Sequence, residues 1–252
     1  KVVARCIENK NERFFTQLPA GVKAAEFCRS QFLVEDFVGG DQLTLGDLPG
    51  YMQGAGFLLL LIGLVAGASA VGASWQTGTI TTILSWEPRR IRWFLTRLAA
   101  VAAGVFILTL ALLLVFSLAI ALGAALRGST STTSGWIGDV GATSFRIAAV
   151  AVAGSLLGAA VAMIGRNTAA ALGAVFVYMV VFESIVRGFR PSLGRFMLGD
   201  NIAAVITATK TELYQDERVF VVTPVRGVFV IAAFVVLIGA VAAVLLRARD
   251  VQ

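Results

Sequence analysis

Five apolar runs, each long enough to cross a lipid bilayer as a helix, constrain the fold of this chain more than any other feature. They comprise residues 51–73, 98–122, 144–165, 168–186 and 225–246. A helix rises about 1.5 Å per residue, so about 20 residues cross a hydrocarbon layer of about 30 Å. Backbone amides in lipid need hydrogen-bond partners inside their own segment, which favours helices. The runs therefore predict an all-α polytopic membrane protein with five transmembrane helices.

The odd number of runs predicts a sixth span upstream. Five crossings place the two ends of the chain on opposite sides of the membrane, and the sequence begins with Lys1. A span before Lys1 would restore an even count; a cleaved signal peptide is the alternative. We divide the chain into an extracytoplasmic segment, 1–50, with an amphipathic helix at 22–38, and a transmembrane domain, 51–252.

Basic residues are distributed unevenly among the segments that join the runs. They concentrate between the first two runs, in the short third connection and at the C-terminus: Arg89, Arg90, Arg92, Arg97, Arg166, Arg247 and Arg249. Positive charges in short loops and at span ends mark the cytoplasmic side of a membrane. We therefore expect these three segments in the cytoplasm, and 1–50 and 187–224 outside.

Several kinds of function lack the residues that they require. The sequence contains no G-x-x-x-x-G-K-[ST] phosphate-binding loop, no nucleophile elbow and no histidine. We therefore expect a chain that is not itself an enzyme and that holds no metal ion or cofactor. The runs also lack a pair of carboxylates at mid-span, which a proton-driven carrier would need. A nucleic-acid partner is not expected.

A polar elbow, residues 74–97, joins the first two runs and is the segment best suited to contact another protein. Its sequence predicts a short helix over 76–85 that Pro88 terminates, because proline removes a backbone donor. Trp86 and Trp93 flank the turn at the depth of the lipid headgroups. Such a helix across the ends of two spans would act as a lever. The alternative is an interfacial helix whose arginines bind headgroups.

The elbow and its flanks, GASWQTGTITTILSWEPRRIRWFLTRLAA, resemble the signature of type-2 ATP-binding-cassette (ABC-2-type) permeases, exporter-like membrane subunits of bacteria. The matching residues are Gly72, Ala73, Gly78, Thr79, Leu84, Pro88, Arg89 and Arg90. The chain has Ser74 and Trp75 where this family often has Glu. The resemblance implies that the elbow contains a coupling helix docked on a nucleotide-binding ATPase subunit. The residues expected at that contact are Gln76, Thr77, Gly78, Thr79, Ile80, Ile83, Leu84, Glu87, Pro88, Arg89 and Arg90.

The same resemblance implies the rest of an assembly. The chain would be a permease subunit in a bacterial cell membrane, with a cytoplasmic C-terminus and a second, identical or different permease subunit beside it. ATP and Mg would bind the partner ATPase subunit, and an amphipathic substrate would be exported. Residues 199–210, predicted as a short helix capped by Asp200, would form a re-entrant or interfacial element outside. The alternatives are a non-transporting subunit that transmits ATPase motion to an outer partner, and an ion-coupled carrier.

Four pairs of residues complete the candidates. Glu183 and Arg187 stand four residues apart near the outer end of the fourth run; we interpret them as a structural ion pair, with a transport role as the alternative. Cys6 and Cys28 share the outer segment, where a disulfide is permitted; two free thiols are equally consistent. Two small-residue faces, built around the glycine pairs Gly63 with Gly67 and Gly154 with Gly158, favour close helix packing.

Overall fold

A computed structural model describes residues 43–80, 82, 90–215 and 218–248. The described elements, in chain order, are helices α1 (Leu48–Gln76), α2 (Arg90–Arg127), α3 (Trp136–Gly165), α4 (Thr168–Phe189) and α5 (Leu198–Thr207), strands β1 (Thr211–Gln215) and β2 (Arg218–Val222), and helix α6 (Pro224–Ala248). Short 3-10 helices occur at Leu45–Asp47 and Pro191–Phe196.

Five helices in the described part of the chain, α1, α2, α3, α4 and α6, are long enough and apolar enough to cross a membrane. This result confirms the all-α class and the five spans predicted from the sequence. The helices extend beyond the apolar runs; α2, for example, has 38 residues, well over the number needed for one crossing. The chain therefore has the architecture of a multi-pass membrane protein.

Among the described helices, α1 and α3 approach each other so closely at four glycines that their backbones are in contact. A Cβ atom added to Gly63 or Gly67 would overlap a backbone carbonyl of α3, and one added to Gly154 or Gly158 would meet a carbonyl of α1. The two small-residue faces predicted from the sequence therefore face each other within one chain. Because the backbones touch, these two helices form the centre of the bundle.

Side chains from several helices fill two clusters along this central pair. The first, which contains Leu48, Ile147 and Ile231, also takes in Ile202 and Ile206 of α5. The second lies towards the other end of the bundle and contains Val71, Phe94, Met163, Ala171 and Leu246. The short helix α5 is thus packed among the spans, against α6, α3 and α1.

The bundle has two distinct ends. The ribbon end comprises the described loops before α1, between α2 and α3, and between α4 and α6. Its loops are joined where the amide of Leu45 donates to the carbonyl of Ser129 at 2.9 Å and the indole of Trp136 donates to the carbonyl of Leu45 at 2.9 Å. The elbow end comprises the C-terminal ends of α1 and α6, the start of α2 and the α3–α4 hairpin.

The β1–β2 ribbon is a departure from the all-helical expectation. Its strands pair antiparallel, from Thr211 opposite Val222 to Gln215 opposite Arg218. Leu213 and Val222 are buried against Ala204 of α5. The segment is rich in β-branched residues, which favour strands, and a helix of ten residues gives it a surface on which to pack. Sequence reasoning placed this segment above the membrane without a defined structure.

Candidate functional site

Helix α1 ends where the resemblance places the start of the coupling segment. The amide of Thr77 donates to the carbonyl of Ala73 at 3.0 Å, and Gly78 then adopts a φ of 69°. This left-handed conformation suits glycine and terminates the helix. Thr79 and Ile80 resume a helical conformation.

In the described part of the predicted contact segment, the polar side chains are exposed and one apolar side chain is buried. The side chains of Gln76, Thr77 and Thr79 are exposed, whereas Ile80 is only 1% exposed. Arg90 begins α2. The remaining predicted contact residues, Ile83, Leu84, Glu87, Pro88 and Arg89, lie outside the described residues, as do Cys6 and Cys28.

Arg97 joins α2 to the end of α1, a role that sequence reasoning missed. Its guanidinium donates from Nε and Nη2 to the carbonyl of Ala70, at 3.1 and 2.5 Å, and from Nη2 to Oγ of Ser74 at 3.3 Å. A cation placed near the carbonyl end of a helix is favourable because that end carries a partial negative charge. The sequence marked Arg97 only as a cytoplasmic charge, because the contact spans two helices.

The end of α1 is also attached to the α3–α4 hairpin. The indole of Trp75 donates to Sδ of Met163 at 3.4 Å, and the guanidinium of Arg166 lies 4.7 Å from the centre of its ring. Gln76 donates to Oδ1 of Asn167 at 3.4 Å. The same Asn167 oxygen accepts the amides at the start of α4, so this side chain caps α4 and contacts α1 at once.

These contacts bring four helix ends together at the base of the elbow. Arg97 holds α2 against α1, while Trp75 and Gln76 hold α1 against the hairpin that connects α3 to α4. Any force on the elbow would therefore act on the ends of four spans together. Asn167 directly precedes the first residue of α4, and asparagine at that position is an N-cap signal by which the sequence alone could have identified this residue.

Basic residues occur at both ends of the described structure, but the elbow end has no described carboxylate to balance them. The described basic residues of the elbow end are Arg90, Arg92, Arg97, Arg166 and Arg247. The described carboxylates all lie in the half nearer the ribbon end, and they are Asp47, Asp139, Glu183, Asp200 and Glu212. The elbow end is consequently a basic surface at the ends of the spans.

A second group of polar contacts joins α4 to α5 at the ribbon end. The carboxylate of Glu183, 2% exposed, accepts the amide of Leu198 at 2.9 Å and the amide of Gly199 at 3.0 and 3.1 Å. These amides belong to the first turn of α5, and amides in the first turn of a helix have no acceptor within that helix. Glu183 therefore caps α5 from a neighbouring helix.

The predicted cap, Asp200, does not cap α5. It lies within the first turn, because the helix begins at Leu198, and its carboxylate instead accepts from Nη2 of Arg187 at 2.9 Å. The predicted pair of Arg187 with Glu183 is present but longer, at 3.8 Å. Arg187 is 47% exposed and contacts both carboxylates, so it joins α4 to α5 from the outside.

Buried polar and aromatic contacts fix the segment before α5. Asn201 is fully buried, and its amide donates to the carbonyls of Met197 at 2.6 Å and Arg195 at 3.1 Å. The guanidinium of Arg195 lies over the rings of Phe196 and Phe220, at 4.9 and 5.1 Å. The ribbon, the 3-10 helix and α5 thus form one packed unit.

Comparison with known proteins yields no match: no family model fits the chain, and no curated protein or solved structure is significantly similar to it.

Proposed function

We propose that this chain is a permease subunit of an ATP-driven ABC transporter that exports an amphipathic substrate. The observation that carries the proposal is the position of the segment resembling type-2 ABC permeases. The described parts of this segment, residues 72–80 and 90–100, lie where α1, α2 and the α3–α4 hairpin are joined by Arg97, Trp75 and Asn167. A partner that displaces the elbow would therefore move four spans at once.

In this proposal the elbow contains the coupling helix and contacts a separate ATPase subunit. The exposed side chains of Gln76, Thr77 and Thr79 would face that subunit, and the buried Ile80 would transmit the displacement to the bundle. The basic character of the elbow end supports a cytoplasmic location, by the rule that positive charge stays inside. The C-terminal end of α6 lies at the same end. ATP and Mg would bind the ATPase subunit.

We further propose that α5 is a re-entrant helix on the outer side. A helix of ten residues is about 15 Å long, half the thickness of the hydrocarbon layer. Its residues Leu198 and Ile202 are nonetheless buried among the spans. A second permease subunit, identical or different, would pack on part of the outward faces of α2, α4 and α6, which carry many exposed apolar side chains. Lipid would cover the remainder.

The first test is to purify the tagged full-length protein from its native membrane and to identify the proteins that accompany it. We expect a stoichiometric subunit with a phosphate-binding loop. The double variant I83D/L84D should keep this subunit but uncouple it: transport by the reconstituted complex should fall at least tenfold while ATP hydrolysis continues, because the two charges would lie on the same apolar side of the predicted coupling helix as the buried Ile80. The double variant S131D/T209D adds the same two charges at exposed positions of the ribbon end, away from the elbow, and serves as the matched control.

Two results would contradict the proposal. One is a clean preparation that contains no ATPase even after cross-linking. The other is transport by I83D/L84D equal to that of the S131D/T209D control, with both proteins inserted normally. In either case the elbow would be an interfacial anchor, its arginines bound to lipid headgroups.

A non-transporting subunit that drives an outer partner is the second candidate. The ribbon favours it, because Val219 and Val221 expose apolar side chains and because, among the described residues, its two strands pair only with each other. The two candidates differ in what stimulates ATP hydrolysis by the assembled complex. Export predicts stimulation by a small amphipathic ligand, whereas motion transmission predicts stimulation by an outer protein. An ion-coupled carrier would transport without any ATPase.

A further inference from the structure

An apolar cavity of about 200 Å³ lies among the spans, between α4 and α6. Its inner wall is formed by Leu60 and Leu64 of α1 and Leu157 of α3, each no more than 7% exposed. Leu198 and Ile202 of α5 close it on the side of the ribbon end. The cavity therefore lies beneath the lipid-facing helices, against the central α1–α3 pair.

Two neighbouring aromatic rings, tilted 55° to each other, border the cavity on the outward side. The rings of Tyr178 on α4 and Phe234 on α6 lie with their centres 6.0 Å apart. Next to them, Ala174 leaves room where a larger side chain on α4 would fill the space. Tyr178 and Met179 belong to a π-helical segment, Val177–Phe182, and such segments often mark functional sites because they displace side chains from the regular helical positions.

The chemistry of the lining restricts what can occupy the cavity. Among the lining residues only Tyr178 carries a hydroxyl, and that hydroxyl lies beside Sδ of Met197 at 3.9 Å. A buried water needs two to four polar partners, which this cavity does not provide. A protein cavity of about 150 Å³ lined by similar apolar side chains stays dry and binds a small hydrocarbon. The occupant should therefore be a hydrocarbon.

The position of the cavity indicates the source of that hydrocarbon. Its lining residues come from the middle of α1, α4 and α6, which is the depth at which acyl chains lie in a bilayer. The two bordering helices expose apolar side chains on either side of the cavity, such as Val181 on α4 and Leu237 on α6. We propose that the cavity binds one acyl chain of a membrane phospholipid, which enters between α4 and α6.

The proposal predicts where a photoreactive lipid will attach. The full chain is placed in nanodiscs of phosphatidylcholine containing a small fraction of phosphatidylcholine with a diazirine at the end of one chain, and attachment sites are mapped by peptide mass spectrometry. We expect attachment to the buried Leu60, Leu64 and Leu157 as well as to exposed residues such as Leu118. A lipid that stays on the outer surface would reach only the exposed residues.

Matched variants on α4 make the result specific. A174F fills the cavity and should reduce attachment at Leu60, Leu64 and Leu157 at least fivefold while leaving attachment at Leu118 unchanged. A169F adds the same ring on an exposed position outside the lining and should change neither. F234A widens the entrance and should increase attachment at the buried leucines. Attachment at Leu118 also reports that each variant has inserted and folded.

Three outcomes would overturn the proposal. The first is attachment confined to exposed residues in the natural protein, and the second is equal attachment at the buried leucines in A174F and A169F. The third is displacement of the label from the buried leucines by a single-chain amphiphile such as stearate but not by excess phosphatidylcholine. The last would identify a free amphiphile as the occupant. A transporter and a scaffold would both accept such a lipid, so failure here leaves the proposed function unaffected.

Discussion

Glu183 shows how a carboxylate is accommodated inside a largely apolar bundle. Burial of a carboxylate is costly unless hydrogen-bond donors surround it. Here the donors are the amides of Leu198 and Gly199, with the guanidinium of Arg187 farther away. The partial positive charge at the start of a helix adds to this stabilisation. The side chain is thus satisfied mainly by backbone, and its position is explained by the structure without a transported ion.

Substitutions of Glu183 should separate this structural role from a role in transport. E183A would leave the buried amide of Leu198 and the half-buried amide of Gly199 without this acceptor, at a cost of up to about 1–3 kcal/mol each. E183Q keeps a carbonyl oxygen for at least one of them and should be destabilised less. Thermal unfolding of the purified protein in detergent should therefore rank the natural protein above E183Q, and E183Q above E183A. We expect E183Q to transport nearly normally; a stable E183Q protein without transport would contradict the structural role.

At the scale of elements, the α1–α3 pair leaves no space for side chains between its backbones. A methyl group at Gly67 would overlap the carbonyl of Ser155, so G67A requires the two helices to separate. Overpacking of this kind costs about 1–3 kcal/mol. In contrast, no described atom outside the adjoining backbone of α2 lies within 4 Å of where a Cβ on Gly104 would lie.

The pair G67A and G104A therefore forms a matched test of the central packing. G67A should lower the unfolding temperature of the purified protein, whereas G104A should leave it unchanged or raise it slightly, because alanine favours helix over glycine by about 0.5–1 kcal/mol. Both are measured by thermal unfolding in the same detergent. Equal unfolding temperatures for the two variants would show that α1 and α3 are not in backbone contact.

The spans were predictable from the sequence, whereas most contacts between them were not. The hydrocarbon thickness sets the length of each apolar run, so local composition is enough to find α1, α2, α3, α4 and α6. The short helix predicted at 199–210 is observed at Leu198–Thr207, but its predicted cap was wrong. Glu183 accepts the amide of Leu198, fifteen residues later in the sequence. The end of α4 and a 3-10 helix lie between the two residues, and hydrophobic periodicity does not predict how that segment folds back.

The elbow was located by its sequence signature, but its attachments were not. Arg97 reaches a carbonyl 27 positions earlier, and Gln76 contacts a residue 91 positions later. Such contacts depend on which helices become neighbours, which a single sequence leaves open. The ribbon was not predicted, because its β-branched residues do not alternate clearly with polar ones. The sequence analysis placed residues 187–224 outside the membrane and predicted no strand there.

At the scale of the whole molecule, the basic residues in the short loops and at the span ends of the elbow end predict how the protein sits in the membrane. The elbow end should face the cytoplasm and the ribbon end should face outward. Single cysteines at Ser131 and Thr209 of the ribbon end and at Asn167 of the elbow end, in a chain with Cys6 and Cys28 changed to Ser, test this orientation. An impermeant maleimide applied to intact cells should label the first two positions and should label Asn167 only after permeabilisation.

The reverse labelling pattern would invert the orientation and remove the elbow from the reach of a cytoplasmic ATPase. Labelling of all three positions in intact cells would instead indicate leaky cells, which a cytoplasmic marker protein with an exposed thiol would reveal. The three positions are exposed in the structure, so accessibility differences report the side of the membrane rather than burial.

The glycine contacts between α1 and α3 also have an evolutionary consequence. Each of the four glycines faces a backbone carbonyl of the other helix, and the backbone does not change when the sequence drifts. No compensating substitution on the other helix makes room for a larger residue at these positions. The lipid-facing residues of α2, α4 and α6, by comparison, are free to interchange among apolar types. Distant relatives of this chain should therefore retain two glycine pairs at four-residue spacing on their first and third equivalent spans after most other identities have been lost.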